Sequence, residues 1–133
     1  MIYLIDTDII IYSLKNHPQV RYNFKAHEND PKTISAITYG ELVHGAYKSR
    51  EYNKNIATVH RISELFPVVE VTKTIMETFG AIKAGLQQKG NIIDDMDLII
   101  AATAITMNYV LVTNNEKHFS RITDLKIENW HLS

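Results

Sequence analysis

Acidic residues lie in three separated stretches of the sequence, and their types and spacing could hold a metal ion. The stretch IIDDMDLIIAATAI places Asp94, Asp95 and Asp97 within four positions, directly before an apolar run. Asp6 lies near the start of the chain and Glu41 lies between the two. Neighbouring aspartates repel one another, so a purely structural role has to explain why that repulsion is tolerated. Carboxylate oxygens suit Mg²⁺ or Mn²⁺, provided that the fold brings the three stretches together.

The composition is that of a globular domain and excludes several classes of protein. Apolar residues make up 45% and charged residues 22% of the 133-residue chain, which fits one domain of ordinary size over residues 1–133. The net charge of −1 argues against nonspecific coating of nucleic acid, because such binding depends on many Lys and Arg contacts with phosphates. The absence of cysteine excludes disulfides, thiolate metal sites and cysteine nucleophiles.

The apolar start of the chain does not indicate a signal peptide or a membrane span. The stretch MIYLIDTDIIIYSL is interrupted by Asp6 and Asp8, has no basic residues before it and is too short to cross a bilayer. We therefore expect a cytoplasmic protein with no membrane partner.

Short apolar strands alternate with helices along the chain. Runs of β-branched residues predict strands at 2–5, 33–35, 68–71, 109–112 and 126–130. Helical spacing and capping residues predict helices at 9–15, from 18 to the loop HENDP, at 38–48, 52–65 and 74–89, and from 94 or 95 to 108, with a helical turn at 115–120. This alternation predicts a parallel sheet covered on both faces, which is an α/β/α sandwich.

In this arrangement the acids would meet at one edge of the sheet. Asp6 ends the first strand, Glu41 lies in the first turn of the helix after the second strand, and the aspartates of IIDDMD open a late helix. Ligands of parallel sheets gather outside the carboxyl ends of the strands, near the point where strand order reverses. Carboxylates that converge there need a cation between them, and oxygen ligands select Mg²⁺ or Mn²⁺.

Each acid also has a structural interpretation. Asp8 could cap the first helix, Thr38-x-x-Glu41 has the spacing of a capping box, and Asp94 could cap its own helix. Asp97 is harder to explain in this way, because it directly precedes the apolar stretch LIIAATAI. The metal-site hypothesis therefore depends on the acids occurring together.

Several motifs resemble one known family. They are LIDTDIIIY, SAITYGELVHGA, DLIIAATAI, LVTNNEKHFSRI and a late ENW, and they run from residue 4 to residue 130. In order and spacing they resemble the PIN domain, in particular the VapC-type toxin ribonucleases of type II toxin–antitoxin systems. The resemblance implies a PIN-like three-layer α/β/α sandwich with a central parallel sheet and a divalent metal, Mg²⁺ or Mn²⁺. It also implies endonucleolytic cleavage of RNA in a tRNA or rRNA loop, a homodimer and a cognate VapB-like antitoxin.

Carried over residue by residue, the resemblance implies catalytic and metal-binding roles for Asp6, Glu41 and Asp97. A fourth acid would be Asp94 or Asp95. Spacing does not choose between them, but the three-residue separation of Asp94 from Asp97 places both on one helix face and favours Asp94.

Other polar residues are expected to support these ligands. They are Thr7, Asp8, Ser35, Thr38, Asp95 and Asn115. Two positions depart from the family pattern: position 8 is Asp where these toxins more often have Asn, and Asn114 and Asn115 stand where many PIN proteins carry an acid. Because an amide does not neutralise a cation, the second departure argues against two tightly held metals.

Three other functions are compatible with parts of the sequence. His44, His60 and His118 could act as acid and base in a metal-free ribonuclease, although we expect His118 to pack. Asp6-Thr7-Asp8 fits the Asp-x-Asp of a haloacid dehalogenase-like phosphotransferase. A noncatalytic receiver or interaction domain could bind a cation through the same acids.

The sequence also offers candidates for RNA contact and for dimerisation. Tyr39, Tyr47 and Tyr52 could stack on bases or pack between helices. The helices predicted at 38–48 and 74–89 carry small residues at spacings that would allow a second copy to approach closely.

Overall fold

Five short parallel strands form the central sheet in the computed structural model, which describes residues 1–132. The strands are β1 (Tyr3–Ile5), β2 (Lys32–Ser35), β3 (Val68–Val69), β4 (Val110–Val112) and β5 (Ile127–Glu128). Their spatial order is β3-β2-β1-β4-β5, and every neighbouring pair is parallel. The chain first builds outward from β1 on one side and then continues on the other side, so strand order reverses between β1 and β4. Parallel sheets bind ligands at such a point.

Seven helices surround the sheet in the described part of the chain. They are α1 (Thr7–Leu14), α2 (Pro18–Ala26), α3 (Ala36–Lys48), α4 (Tyr52–Leu65), α5 (Lys73–Gln88), α6 (Asp95–Met107) and α7 (Glu116–Phe119). None of the helices within residues 1–132 has the length and apolar character needed to cross a membrane.

The alternating side chains of the strands divide the core into two halves. On β1, Tyr3 and Ile5 pack with residues of α1 to α4, whereas Leu4 packs with residues of α5 and α6. On β4, Val110 and Val112 belong to the first cluster and Leu111 to the second. Successive side chains of a strand point to opposite faces, so each face of the sheet carries its own helix layer. The predicted α/β/α sandwich is therefore confirmed.

Helix α6 explains the apolar run that follows the aspartates. Its buried residues are Leu98, Ile100, Ala101, Ala102, Thr103 and Ala104. They occupy consecutive turns on several sides, as expected for a helix enclosed by protein. The helix ends at Asn108, which has a left-handed backbone with φ 58° and ψ 43°, and this confirms the predicted C-cap. A buried helix of this kind holds the acids at its start in a fixed position.

The predicted caps are only partly correct. Asp94 caps α6 as predicted, but Asp6, not Asp8, caps α1 by accepting from the Thr7 N–H. Ser35 caps α3, so the capping box predicted from Thr38 and Glu41 is wrong. For α1 and α3, the residue that directly precedes the helix at the end of the strand provides the cap. Thr72 caps α5, so this helix begins at Lys73, one residue before the predicted start.

Candidate active site

Asp6 lies at the carboxyl end of β1, beside the end of β4. Its Oδ2 accepts a hydrogen bond from the Thr113 hydroxyl at 2.8 Å, and its Oδ1 accepts from the Thr7 N–H at 2.8 Å. The side chain is only 6% exposed. Two adjacent strand ends therefore fix both oxygens of this carboxylate at the point where strand order reverses.

The surroundings of Asp6 disfavour its charged form. Burial, followed by the negative charges of Asp8 and Asp97, raises the pKa of Asp6 from 3.8 to about 7, against the lowering effect of the hydrogen bonds from Thr113 and Thr7. The charges that act on Asp6 belong to residues of α1 and of the first turn of α6. Asp6, Asp8 and Asp97 therefore share one electrostatic environment, although they lie far apart in sequence.

Asp8 joins α1 to the loop after β4. Its Oδ2 accepts from the Asn114 N–H at 3.1 Å, while its Oδ1 is buried and has no hydrogen-bond partner. Burial raises the pKa of Asp8, and the charge of Asp97 adds to this effect, whereas His131 opposes it. An unpartnered buried carboxylate oxygen is unfavourable by itself, and a cation would satisfy it.

Asp97 lies in the first turn of α6 and faces α7. Its Oδ2 is 3.0 Å from His118 Nε2, which makes an ion pair when the imidazole is protonated. This nitrogen has no well-aligned hydrogen bond. Burial raises the pKa of Asp97, His118 lowers it and the charge of Asp94 raises it. His118 packs against Phe119, as expected, and its ring also contacts Asp97.

Glu41 reaches the same region from α3. Its Oε1 accepts a hydrogen bond from the Thr7 hydroxyl at 2.7 Å, and that hydroxyl is also 3.1 Å from the Thr38 hydroxyl. Thr38 is fully buried, whereas Glu41 is exposed at the surface. The side chain of Glu41 is therefore tied to the residue that follows Asp6, and not to the start of its own helix.

The two candidates for the fourth acid differ in position. Asp94 caps α6 by accepting from the Met96 N–H at 3.1 Å, and its charge acts on Asp97. Asp95 pairs instead with Lys83 of α5 at 2.9 Å. This arrangement favours Asp94 as the acid that acts together with Asp97.

Two of the other expected supporting residues have local roles. Ser35 is fully buried and accepts from the Ile37 N–H at 3.0 Å, so its hydroxyl caps α3. Asn115 is exposed, and its N–H donates to the Thr113 hydroxyl at 3.0 Å. Through Thr113 this loop residue is connected to Asp6.

The donor set fits a hard divalent cation. Oxygen atoms of Asp6, Asp8 and Asp97 come from two chain segments, the junction of β1 with α1 and the first turn of α6, and one oxygen of Asp8 has no partner. Within residues 1–132 no three acidic or histidine side chains are close enough to enclose an ion as they stand. Hydrogen bonds instead hold the acids individually around a common region, and carboxylates with this chemistry suit Mg²⁺ or Mn²⁺.

Sequence reasoning did not find the contact between His118 and Asp97. These residues lie on different helices, α7 and α6, and no periodic pattern relates them. The same is true of Thr113, which lies next to Asp6 only because β1 and β4 are neighbours in the sheet. Such contacts follow from strand order, which the sequence pattern did not specify.

Comparisons with known proteins agree with this fold. The PIN domain model matches residues 3–125. The ribonuclease VapC1 of Haemophilus influenzae strain R2866 is 38% identical over 132 residues, which cover 98% of each chain. The tRNA(fMet)-specific endonuclease VapC of Shigella flexneri is 31% identical over 129 residues, which cover 96% of this chain and 97% of that protein. VapBC2 of Rickettsia felis, solved bound to a DNA fragment from its promoter, contains a chain with a TM-score of 0.90 and 35% identity, covering 98% of this chain and 99% of that one.

The chain therefore belongs to the PIN domain family. Within that family it is a homologue of the VapC ribonucleases of toxin–antitoxin systems, along nearly its whole length. These findings confirm the resemblance drawn from the motifs. They do not favour the phosphotransferase or receiver interpretations, since neither accounts for the match.

Proposed function

We propose that this chain is a metal-dependent endoribonuclease that acts as the toxin of a toxin–antitoxin pair and consists of a single PIN domain over residues 1–133. The observation that carries the proposal is the proximity of three acids at the reversal point of a parallel sheet: the charges of Asp8 and Asp97 raise the pKa of Asp6, and the charge of Asp97 raises the pKa of Asp8. Homology to VapC ribonucleases supports it.

In the proposed site, Asp6 and Asp97 hold Mg²⁺ or Mn²⁺ directly, and Glu41 and Asp94 act through water. Thr113 and Thr7 fix the two oxygens of Asp6. Thr7 also orients Glu41, which is exposed and would accept a proton from an attacking water.

When bound, the metal would lower the pKa of a water molecule and would supply positive charge that stabilises the attacked phosphate. The acids of the chain supply the negative charge that makes this cation bind, and the buried helix α6 keeps Asp97 at one position. His118, beside Asp97, limits the directions in which that carboxylate can turn.

The proposed substrate is the unpaired loop of a tRNA or rRNA, because a VapC relative from Shigella flexneri is named for tRNA(fMet) cleavage. The proposed partners are a VapB-like antitoxin, by analogy with the VapBC complexes, and a second copy of the chain. Exposed small residues on α3 and α5 support the homodimer: Gly40, Gly45, Gly80, Ala81 and Ala84. A monomeric mass in light scattering would contradict this part.

Substitution of the acids tests the activity. Asp6→Asn and Asp97→Asn should each lower Mn²⁺-dependent cleavage of total RNA by at least about 100-fold, because a ligand charge is lost. The thermal unfolding temperature should stay the same or rise, since burial and repulsion disfavour both charges. Asp124→Asn is the control, because Asp124 is exposed and its φ of 69° is tolerated by Asn.

The ends of the products separate this proposal from histidine chemistry. Water attack leaves a 5′-phosphate and a 3′-hydroxyl, whereas attack by the RNA 2′-hydroxyl gives cyclic phosphates. Cleavage that survives EDTA, or full activity of Asp97→Asn, would contradict the metal site.

A further inference from the structure

Two exposed tyrosines face each other where α3 meets α4. The rings of Tyr47 and Tyr52 are nearly parallel, with centroids 6.3 Å apart and planes inclined by 19°. Tyr47 is 65% exposed and Tyr52 is 48% exposed, so neither ring serves the hydrophobic core. By contrast, Tyr39 packs partly buried against the core. Aromatic rings presented to solvent in this way are surfaces on which nucleobases stack.

Hydrogen bonds hold the turn that carries this ring pair. Asn55 Nδ2 donates to Ser49 Oγ at 2.8 Å, and Ser49 Oγ donates to the Ala46 carbonyl at 2.7 Å. The start of α4 is thereby attached to the end of α3. A rigid platform loses little conformational entropy when a ligand binds to it.

Basic residues lie close to the two tyrosines in the sequence. Residues 47–54 contain three exposed basic residues, Lys48, Arg50 and Lys54, and one acid, Glu51, in a chain whose net charge is −1. Within residues 1–132 none of these three basic side chains forms an ion pair. Unpaired basic groups beside stacked aromatic rings match the two chemical features of single-stranded nucleic acid, phosphates and bases.

A groove that contains one of the acids, Glu41, begins next to this region. It has a volume of about 330 Å³, lies between α1, α3 and α4, and is lined by Glu41 and Ala46 of α3 and by Asn55 of α4. Tyr47 directly follows Ala46, and Tyr52 lies three residues before Asn55 on the same helix. From Glu41 to Tyr47 the axis of α3 rises about 9 Å, a distance that a short single strand can span.

From these contacts we infer that Tyr47 and Tyr52 form a stacking platform for a base of single-stranded RNA next to the cleavage site, with Lys48, Arg50 and Lys54 contacting its phosphates. The inference rests on the proposed ribonuclease function and assigns these residues a part in substrate positioning. A base can reach the platform only when it is unpaired, so the platform selects loops over duplexes.

The chain offers a matched control for the tyrosines. Tyr22 on α2 is 67% exposed and lies beside Arg21 and close to Lys25. It thus combines an exposed ring with basic neighbours, but it lies on α2, away from the residues of α3 and α4 that line the groove with Glu41. If any exposed aromatic ring near basic residues contributed to RNA binding, substitution of Tyr22 would also weaken binding. If Tyr47 and Tyr52 form a specific platform, only their substitution weakens it.

Binding is best measured without cleavage, in the Asp97→Asn background. Fluorescence anisotropy of a 5′-fluorescein-labelled single-stranded oligouridine should show affinity about tenfold weaker for Tyr47→Ala/Tyr52→Ala, given the usual effect of stacking on alanine substitution. Tyr47→Phe/Tyr52→Phe should retain the parent affinity, because the rings remain. Tyr22→Ala should also retain it.

An abasic oligonucleotide of the same length identifies stacking. The double alanine variant and its parent should bind this probe equally, because no base is present to stack. Replacing Lys48, Arg50 and Lys54 by Gln should lower the slope of log affinity against log salt by about 2, as expected for loss of three phosphate contacts with a single strand. Equal affinities of the double alanine variant and its parent for oligouridine would overturn the platform.

Light scattering and cleavage assays separate the remaining explanations. If the double alanine variant has a different oligomeric mass and this difference explains its loss of RNA binding, the rings form a contact between copies and the inference is wrong. Without the Asp97→Asn change, the double alanine variant should raise KM for a loop RNA and keep kcat, and an unchanged KM would also overturn the inference. If the unsubstituted chain fails to cleave RNA with Mn²⁺, the proposed function itself fails, whatever the anisotropy shows.

Discussion

Thr7 supports two acids that lie far apart in the sequence. Its N–H donates to Asp6 Oδ1 at 2.8 Å, and its hydroxyl donates to Glu41 Oε1 at 2.7 Å. Because the two contacts use different groups of one residue, a substitution can remove one and keep the other. The hydroxyl contact is specific to the side chain, whereas the N–H contact belongs to the backbone.

We predict that Thr7→Val lowers kcat/KM for RNA cleavage by about 10- to 100-fold, the usual effect of removing a group that orients a metal-site residue. The hydrogen bond from the backbone N–H to Asp6 remains, so the loss of activity measures the contribution of the contact with Glu41. Thr7→Ser should keep most of the activity, since its hydroxyl can still donate. Steady-state cleavage of a loop RNA measures both variants, and equal activity of Thr7→Val and Thr7→Ser would contradict a role for the hydroxyl.

Asp8 carries a carboxylate whose charge is only partly compensated by hydrogen bonds. One oxygen is buried and unpartnered, and its charge raises the pKa of Asp6. We predict that Asp8→Asn raises the metal-free free energy of unfolding by about 1 kcal/mol, the usual order for relieving such a group. Asn can still accept from the Asn114 N–H. Urea denaturation in EDTA measures the change, with Asp124→Asn as the control, and a loss of stability would contradict it.

Residue types were sufficient to find the acids but not their partners. Asp6, Glu41 and Asp97 were identifiable because carboxylates in these motifs are unusual without a cation. The partners Thr113 and His118 were not, because each contacts its acid across neighbouring elements of the fold. A residue's type indicates the chemistry it can perform, whereas its partner depends on the three-dimensional arrangement.

At the scale of elements, the sequence predicted the presence of helices and strands more accurately than the residue at which each begins. The bounds of α4, Tyr52–Leu65, agree with the prediction, and β1, β2 and β4 differ from it by one residue at the N-terminal end. The start of α3 was predicted two residues too late, because both Ser35 and Thr38 can cap a helix. In the structure Ser35 is the cap, whereas Thr38 lies inside the helix, where its hydroxyl contacts Thr7.

Helix α6 ends with a residue whose backbone restricts substitution. Asn108 has φ 58°, and left-handed backbone is unfavourable for residues with an ordinary Cβ. We predict that Asn108→Ala lowers the free energy of unfolding by about 1 kcal/mol, while Asn108→Gly changes it little, since Gly adopts this conformation readily. Thermal denaturation measures both variants. Equal stability of the two would show that the C-cap conformation is unimportant for this helix.

At the scale of the whole molecule, the sheet connects the stability of the fold with the charge state of the site. Asp6 directly follows β1, the central strand, and contacts the residue that follows β4. Its folded pKa is about 7, above the ordinary value of 3.8. Between these two pH values the folded chain retains a proton at Asp6 that the unfolded chain has released, so rising pH favours unfolding.

We therefore predict that, in EDTA, the free energy of unfolding contributed by Asp6 is fully present below about pH 3.8 and is lost as the pH rises through about 7. The raised pKa values of Asp8 and Asp97 act in the same direction. The slope should not exceed about 1.4 kcal/mol per pH unit for each group. Thermal unfolding at a series of pH values measures it, and Asp6→Asn should show a smaller slope.

Addition of Mn²⁺ should reverse this dependence. A cation binds the deprotonated acids of the folded chain, so the rise in unfolding temperature on adding Mn²⁺ should be larger at pH 8 than at pH 5. At a free concentration 100 times the dissociation constant the stabilisation is about 2.7 kcal/mol. Asp97→Asn should reduce the rise at pH 8, whereas Asp124→Asn should leave it unchanged. If Mn²⁺ stabilised all three proteins equally, the cation would bind outside the acids at the ends of β1 and β4, and the link between fold stability and this site would be wrong.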